Sequence, residues 1–189
     1  MENCMFESNR LIYRKLEYND FNLFYELYSD VRVMAHAYLD RIETREEANQ
    51  IFNNILTSQN HLGTGVQYVA SIKNTDIEIG LVDYEVILNH QNGGIYEIGY
   101  FLKPEYWAQG FGTEMARSLI NYLFTNSNIH KVIASCNSNN QVSENIMIKL
   151  GMNKEGFFKK VRFKNNRWED EIRYGLLKEE WNAALSFMC

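Results

Sequence analysis

The run Tyr96-Glu97-Ile98-Gly99-Tyr100-Phe101-Leu102-Lys103-Pro104-Glu105-Tyr106-Trp107-Ala108-Gln109-Gly110-Phe111-Gly112-Thr113-Glu114 changes character in its middle. Ile95 to Leu102 is short, apolar and aromatic, and reads as a strand. A loop with Pro104, the only proline, follows. Beyond it Met115, Leu119, Ile120, Leu123 and Phe124 recur at helical spacing. Gly110-Phe111-Gly112 therefore opens a helix. The first amides of a helix have no partner within it, and the helix dipole favours an anion there. Glycines let a phosphate approach the backbone. The expectation is a phosphate or pyrophosphate at residues 109–114, although a closely packed tight turn fits the same three residues. The pattern lacks the third glycine of a dinucleotide fingerprint, and no Gly-Lys-Ser/Thr follows to make a phosphate-binding P-loop.

Working outward, Arg10 to Leu16 alternates as a strand. Asn19 or Asp20 can cap a helix through Phe21, Leu23, Phe24, Leu27 and Tyr28. Thr44-Arg45-Glu46-Glu47 is a capping-box pattern ahead of the apolar stripe Ala48, Ile51, Phe52, Ile55 and Leu56. Val66–Ile72, Ile77–Leu88 and Ile95–Leu102 form a meander of strands joined by turns at Lys73-Asn74-Thr75-Asp76 and Asn89 to Gly94. After the glycine-opened helix come a strand at Lys131–Cys136, a helix at Asn140–Leu150 stopped by Gly151, two strands at about Lys154–Phe163 and Trp168–Leu177, and a tail helix at Lys178–Ala184. The order β-α-α-β-β-β-α-β-α-β-β predicts a mixed, mostly antiparallel α/β sheet with helices on its faces. No repeat, low-complexity segment or linker interrupts it, so residues 1–189 are expected to form one domain.

The 189 residues are 46% hydrophobic, enough for a real core. No apolar run reaches the roughly 18–20 residues of a membrane helix, and Met1–Asn9 lacks the features of a signal peptide. Cys4, Cys136 and Cys189 are too far apart and odd in number for a disulfide framework, and His36, His61, His90 and His130 are scattered, which argues against a zinc site. Together these features predict a cytoplasmic protein without a metal. The net charge of −5 argues against nucleic acid and is compatible with a cationic amine substrate. The one basic cluster, Lys159-Lys160-Val161-Arg162-Phe163-Lys164, alternates and reads as a solvated strand face. Cys136, at a strand end, reads as a small core residue. Phe21, Phe24, Tyr25, Tyr28 and Tyr38 read mainly as the core of the first helices.

Residues 107–112, Trp107-Ala108-Gln109-Gly110-Phe111-Gly112, resemble motif A of the GNAT acetyltransferases, Gln/Arg-x-x-Gly-x-Gly/Ala, with Trp107 departing from the usual Gln/Arg. Tyr106-Trp107 with Gly110-Phe111 and Thr113-Glu114, and Glu97-Ile98-Gly99-Tyr100 before them, are similar to the branch of ribosomal-protein N-terminal acetyltransferases. So are Lys131-Val132-Ile133-Ala134, Asn140-Gln141-Val142-Ser143, Lys149-Leu150-Gly151-Met152, the closing hairpin and Glu180-Trp181. The resemblance runs from about Arg10 to Trp181. It implies the GNAT fold, acetyl-coenzyme A as co-substrate, and direct attack of an amine on the thioester.

Carried over by position, the resemblance assigns the pyrophosphate to the main chain of Gln109, Gly110, Phe111, Gly112 and Thr113. It assigns the pantetheine arm to Phe101, Leu102 and Asn140, with the Leu102 N–H as oxyanion contact. Glu97 becomes the candidate base, with Asp83 and Glu85 on the neighbouring strand in reserve as bases or as contacts for a cationic substrate. A tyrosine acid common in the family is replaced by Met147, which leaves Ser143 as the candidate proton donor to the thiolate. Asn140 and Ser143 also suit a plain helix cap. The acceptor is expected to be a protein N-terminus or a small amine such as a polyamine or aminoglycoside. It is expected to be bordered by Val31–Thr44 and His61–Gly65, and the oligomer to be a homodimer. The competing expectation is a catalytically silent acyl-coenzyme A-binding module.

Overall fold

A computed structural model describes residues 4–37, 39–61 and 63–186, with side chains of the last helix described up to residue 183. Tyr38 and Cys189 lie outside the described residues. Eight strands form one sheet in the order β1-β2-β3-β4-β5-β6-β8-β7. They are β1 (Cys4–Glu7), β2 (Leu11–Lys15), β3 (Val66–Ile72), β4 (Glu78–Leu88), β5 (Gly94–Leu102), β6 (Ile129–Asn137), β7 (Asn153–Lys164) and β8 (Arg167–Leu177). The helices are α1 (Phe21–Ser29), α2 (Arg45–Ser58), α3 (Phe111–Asn126), α4 (Gln141–Lys149) and α5 (Lys178–Ser186). Every neighbouring pair is antiparallel except β5 and β6, which are parallel and joined through α3. A helical crossover is what a parallel pair requires.

The sheet carries a core on each face. On one, α3 and α4 bury Met115, Leu119, Ile120, Leu123 and Met147 against Ile79, Val82, Ile98, Leu102, Val132 and Ala134. On the other, α1 and α2 bury Leu23, Phe24, Tyr28, Phe52 and Leu56 against Val69 and Leu81. Successive strand side chains alternate between faces, so Ile98 and Leu102 serve the α3 core while Phe101 packs on the α1–α2 core.

Three expectations need correction. A first strand, β1, precedes the expected one; three of its four residues are exposed, so it leaves no hydrophobic alternation to detect. Asp20 occupies the N-cap of α1 without capping it, because its carboxylate takes the Arg14 guanidinium at 2.6 and 2.7 Å and the Glu17 amide at 2.7 Å. The basic run on β7 alternates, but with inverted polarity. Arg162 and Lys164 are 8% and 3% exposed, whereas Val161 and Phe163 are 50% and 59% exposed. The register shifts between Phe158 and Arg162, where Lys160 takes φ +53°, and this irregularity sets which residues face inward.

Candidate active site

The β5–β6 ladder runs from Gly94–Ile129 to Glu97–Ile133 and stops there, although both strands continue, β5 to Leu102 and β6 to Asn137. A split therefore opens in the middle of the sheet. On the other side of β5, pairing with β4 persists to Leu102, and the Lys103 N–H donates to Ile79 O at 2.9 Å. Peptides of an antiparallel strand alternate in direction, so those of Lys103, Phe101 and Gly99 are directed to β4 and those of Leu102 and Tyr100 into the split. Leu102 O is already taken, accepting from the Trp107 indole N–H at 2.8 Å. Its N–H remains directed at the split. The Leu102 and Tyr100 main chains therefore face the split, whereas the Phe101 amide belongs to the β4 ladder.

At the end of β5 the loop reaches α3. Ala108 and Gly110 adopt φ +57° and +82°, and Gly110 is the N-cap of α3 in the left-handed conformation that glycine tolerates. The first helical bond of α3 runs from the Glu114 N–H to Gly110 O at 3.1 Å, so the amides of Phe111, Gly112 and Thr113 precede it and are free for an anion. A Cβ on Gly112 would come within 3.1 Å of Ile146 on α4, so glycine keeps α3 close to α4. Gln109 ties the loop to itself, its side-chain amide donating to Glu105 O at 2.8 Å.

Arg10 went unnoticed in the sequence. Its guanidinium lies 3.9 Å from the Phe111 ring centroid, donates to Gln109 O at 3.1 Å and pairs with Glu114 at 2.7 Å. Burial acts to raise the Glu114 pKa, but hydrogen bonds from Ser8 and Arg10 outweigh it and hold the carboxyl below its ordinary value. Arg10 therefore braces the loop between β5 and α3, tying it to Glu114 of the helix. Only the fold brings it there, from about a hundred residues away.

Asp83, Glu85 and Glu97 share the α1–α2 face. Asp83 is opposite Gly99, and Glu85 opposite Glu97. A Cβ on Gly99 would fall 2.6 Å from Asp83 Oδ1; the absence of a side chain there lets the Asp83 carboxyl lean across β5 towards the split. Glu97 sits on the last rung before it. Burial, then the charges of Glu85 and Glu97, raise the Asp83 pKa to about 7. No cation enters that balance. The Tyr28 phenol, buried next to these groups, is pushed well above its ordinary pKa by burial and then by the Asp83 charge, and it accepts a hydrogen bond from Gln67 at 3.4 Å.

On the opposite face, Asn140 caps α4, its Oδ1 accepting the Ser143 N–H at 3.1 Å. The cap uses the Ser143 main chain and leaves its hydroxyl near the Tyr100 phenol, whose pKa burial raises to about 12. Tyr100 was another residue the sequence reading passed over. Cys136 is 5% exposed, and burial pushes its thiol up to about 12, which fits a packing residue rather than a nucleophile. Carboxylates on one side of the split and hydroxyls on the other can serve the two ends of an acyl transfer.

The model of the acetyltransferase (GNAT) domain matches residues 10–153. The chain belongs to the GNAT acetyltransferase family. An N-acetyltransferase of Bacillus subtilis, YnaD, is 35% identical over 93% of this chain and 98% of its own length. The crystal structure of a GNAT-family acetyltransferase from Bacillus anthracis superposes with a TM-score of 0.78 at 28% identity, covering 93% of this chain and 99% of that one. Spermidine N-acetyltransferase from Vibrio cholerae, solved with coenzyme A and spermine, gives a TM-score of 0.80 at 22% identity over 93% and 99% of the two chains. The protein is a GNAT-type N-acetyltransferase that uses acetyl-coenzyme A as co-substrate. Among the described residues no helix is long and apolar enough to cross a membrane, and no three His, Cys, Asp or Glu residues are grouped to hold a metal.

Proposed function

We propose that this acetyltransferase acts on a flexible aliphatic polyamine, and that Asp83 takes the proton from the attacking amine. The observation that carries this reading is the Asp83–Glu85–Glu97 group beside the split: burial, and then the charges of Glu85 and Glu97, raise the Asp83 pKa to about 7, and no cation is among the causes. A multiply charged amine supplies the missing charge. An ammonium must lose a proton before it can attack, and a carboxyl with a pKa near 7 is matched to that task at neutral pH. Glu97 and Glu85 then hold the remaining positive charges, in place of the sequence-based assignment of Glu97 as base. Acetyl-coenzyme A supplies the activated acetyl group. The amides of Gln109 to Thr113 hold its diphosphate, the main chain of Tyr100 and Leu102 and the side chain of Asn140 orient its arm, and the Leu102 N–H stabilises the oxyanion. Ser143 donates a hydrogen bond to the departing thiolate.

The relatives support two acceptor classes. One is named a spermidine N(1)-acetyltransferase, from Vibrio cholerae, at 22% identity over 92% of this chain. Another is named a ribosomal protein uS5-alanine N-acetyltransferase, from Escherichia coli, at 23% over 56% of it. The carboxylate group favours the former. A panel of spermidine, an alanine-terminated peptide, an aminoglycoside and butylamine, assayed by release of free thiol from acetyl-coenzyme A, decides between them. Spermidine is expected to give the highest kcat/KM, with a KM that rises as salt screens the carboxylates. Faster turnover of the peptide or of butylamine would contradict the proposal. A cytoplasmic, single-domain enzyme is in keeping with the continuous sheet and the free thiols of Cys4 and Cys136. Exposed Phe157, Phe163 and Trp168 on the closing hairpin lend support to a homodimer.

A further inference from the structure

A strand that buries cations and exposes aromatics needs acceptors on its inner side. For Lys164, the last residue of β7, these are main-chain carbonyls. Its Nζ donates to Met34 O, to Ala37 O at 2.8 Å and to Leu39 O at 2.9 Å. An ammonium has three donors and no acceptor, so all three are used. Asp40 and Glu169 act on it only as more distant charges, and burial lowers its pKa. The three carbonyls belong to one short connection between α1 and α2, around the turn Met34–His36.

The two ends of this contact belong to different halves of the sheet. Lys164 is on β7, which joins β6 through β8. The connection is seated by buried Met34 and Ile42 in the core that includes Val69 of β3 and Leu81 of β4. Between these halves runs the split, where β5 and β6 no longer pair. On the far face α3 packs against β4, β5 and β6 and spans the split. On the carboxylate face Lys164 reaches across it.

We propose that Lys164 is a positioning residue whose ammonium clasps the two halves of the split sheet over the acceptor face and so fixes the fit of the acceptor amine. This rests on the reading that the carboxylate face takes the amine. The bonds of Lys164 go to the α1–α2 connection and none goes to the donor's anion loop at the start of α3. Loosening the clasp therefore frees residues 30–44 and widens the acceptor groove while leaving the donor site intact.

The test compares Lys164→Met, which keeps the length of the side chain and removes its donors, with Lys164→Arg, which keeps the charge and donors. Three quantities are measured: the spermidine KM and kcat, the acetyl-coenzyme A Kd by calorimetry, and hydrogen exchange at residues 30–44. Lys164→Met is expected to raise the spermidine KM about tenfold, to leave the donor Kd within twofold, and to speed exchange at residues 30–44, with Lys164→Arg restoring part of each effect. An unchanged KM with unchanged exchange overturns the clasp, as does a parallel loss of donor and acceptor binding. If Lys164→Met does not fold, Lys164→Gln, which retains a donor, is read by the same criteria. If the wild-type enzyme does not acetylate spermidine, the acceptor reading fails, and exchange at residues 30–44 decides the clasp alone.

Discussion

At the scale of single residues, the site turns on how Asp83 is placed. Its folded pKa of about 7 lies far above the roughly 3.9 of an unfolded aspartate. Between those values the folded protein binds the extra proton, so the contribution of Asp83 to stability is largest at the acid end and is lost as pH rises through 7. Activity should move the other way, because only the carboxylate accepts a proton. Wild-type kcat/KM is predicted to rise with pH up to about 7 and then level. Asp83→Asn should lower it by about a hundredfold or more, abolish that limb, and resist urea better than wild type at pH 8. A limb that survives the substitution would return the role of base to Glu97. The sequence put Asp83 on the strand beside Glu97 but ranked Glu97 first. Their difference arises from burial and from the space over Gly99, neither of which is a local property of the chain.

Among elements, the helix starts were the most legible, because caps and glycines act within a few residues. Thr44 accepts the Glu47 N–H at 3.2 Å as its pattern implies, although the Glu47 carboxylate turns to the Glu43 amide. Gly110 and Asn140 sit at the N-caps of α3 and α4. The strand-helix-strand unit around α3 was legible from its change of period. Insertion of β8 between β6 and β7 is a matter of sheet order and left no mark in local periodicity, and the inward face of β7 was misjudged because it buries charge against carbonyls from a distant loop. Asn140 has two tasks that can be separated. Its Oδ1 is spent on the cap, while its amide nitrogen is available for the donor arm. Asn140→Ala should cost about 1 kcal/mol of stability, seen as a Tm lower by about 2–4 °C, and should also raise the acetyl-coenzyme A Kd. A lower Tm with unchanged Kd would limit Asn140 to capping.

Over the whole molecule, two hydrophobic cores press on opposite faces of one sheet, and the sheet is open at its centre. Each core holds one set of functional groups: α4 brings Ser143 to one side of the gap, while α1 and the β4–β5 pair bring Tyr28, Asp83 and Glu97 to the other. The braced loop at residues 107–114 closes the end of the gap where β5 stops. All of this presupposes that the amides at the start of α3 receive a diphosphate. Calorimetric titration of acetyl-coenzyme A into wild-type and Gly110→Glu protein tests that most directly. A side chain at φ +82° strains the loop and its carboxylate repels the anion, so at least a hundredfold weaker binding is predicted, about 2.7 kcal/mol. Binding of a correctly folded Gly110→Glu protein within threefold of wild type would contradict the account.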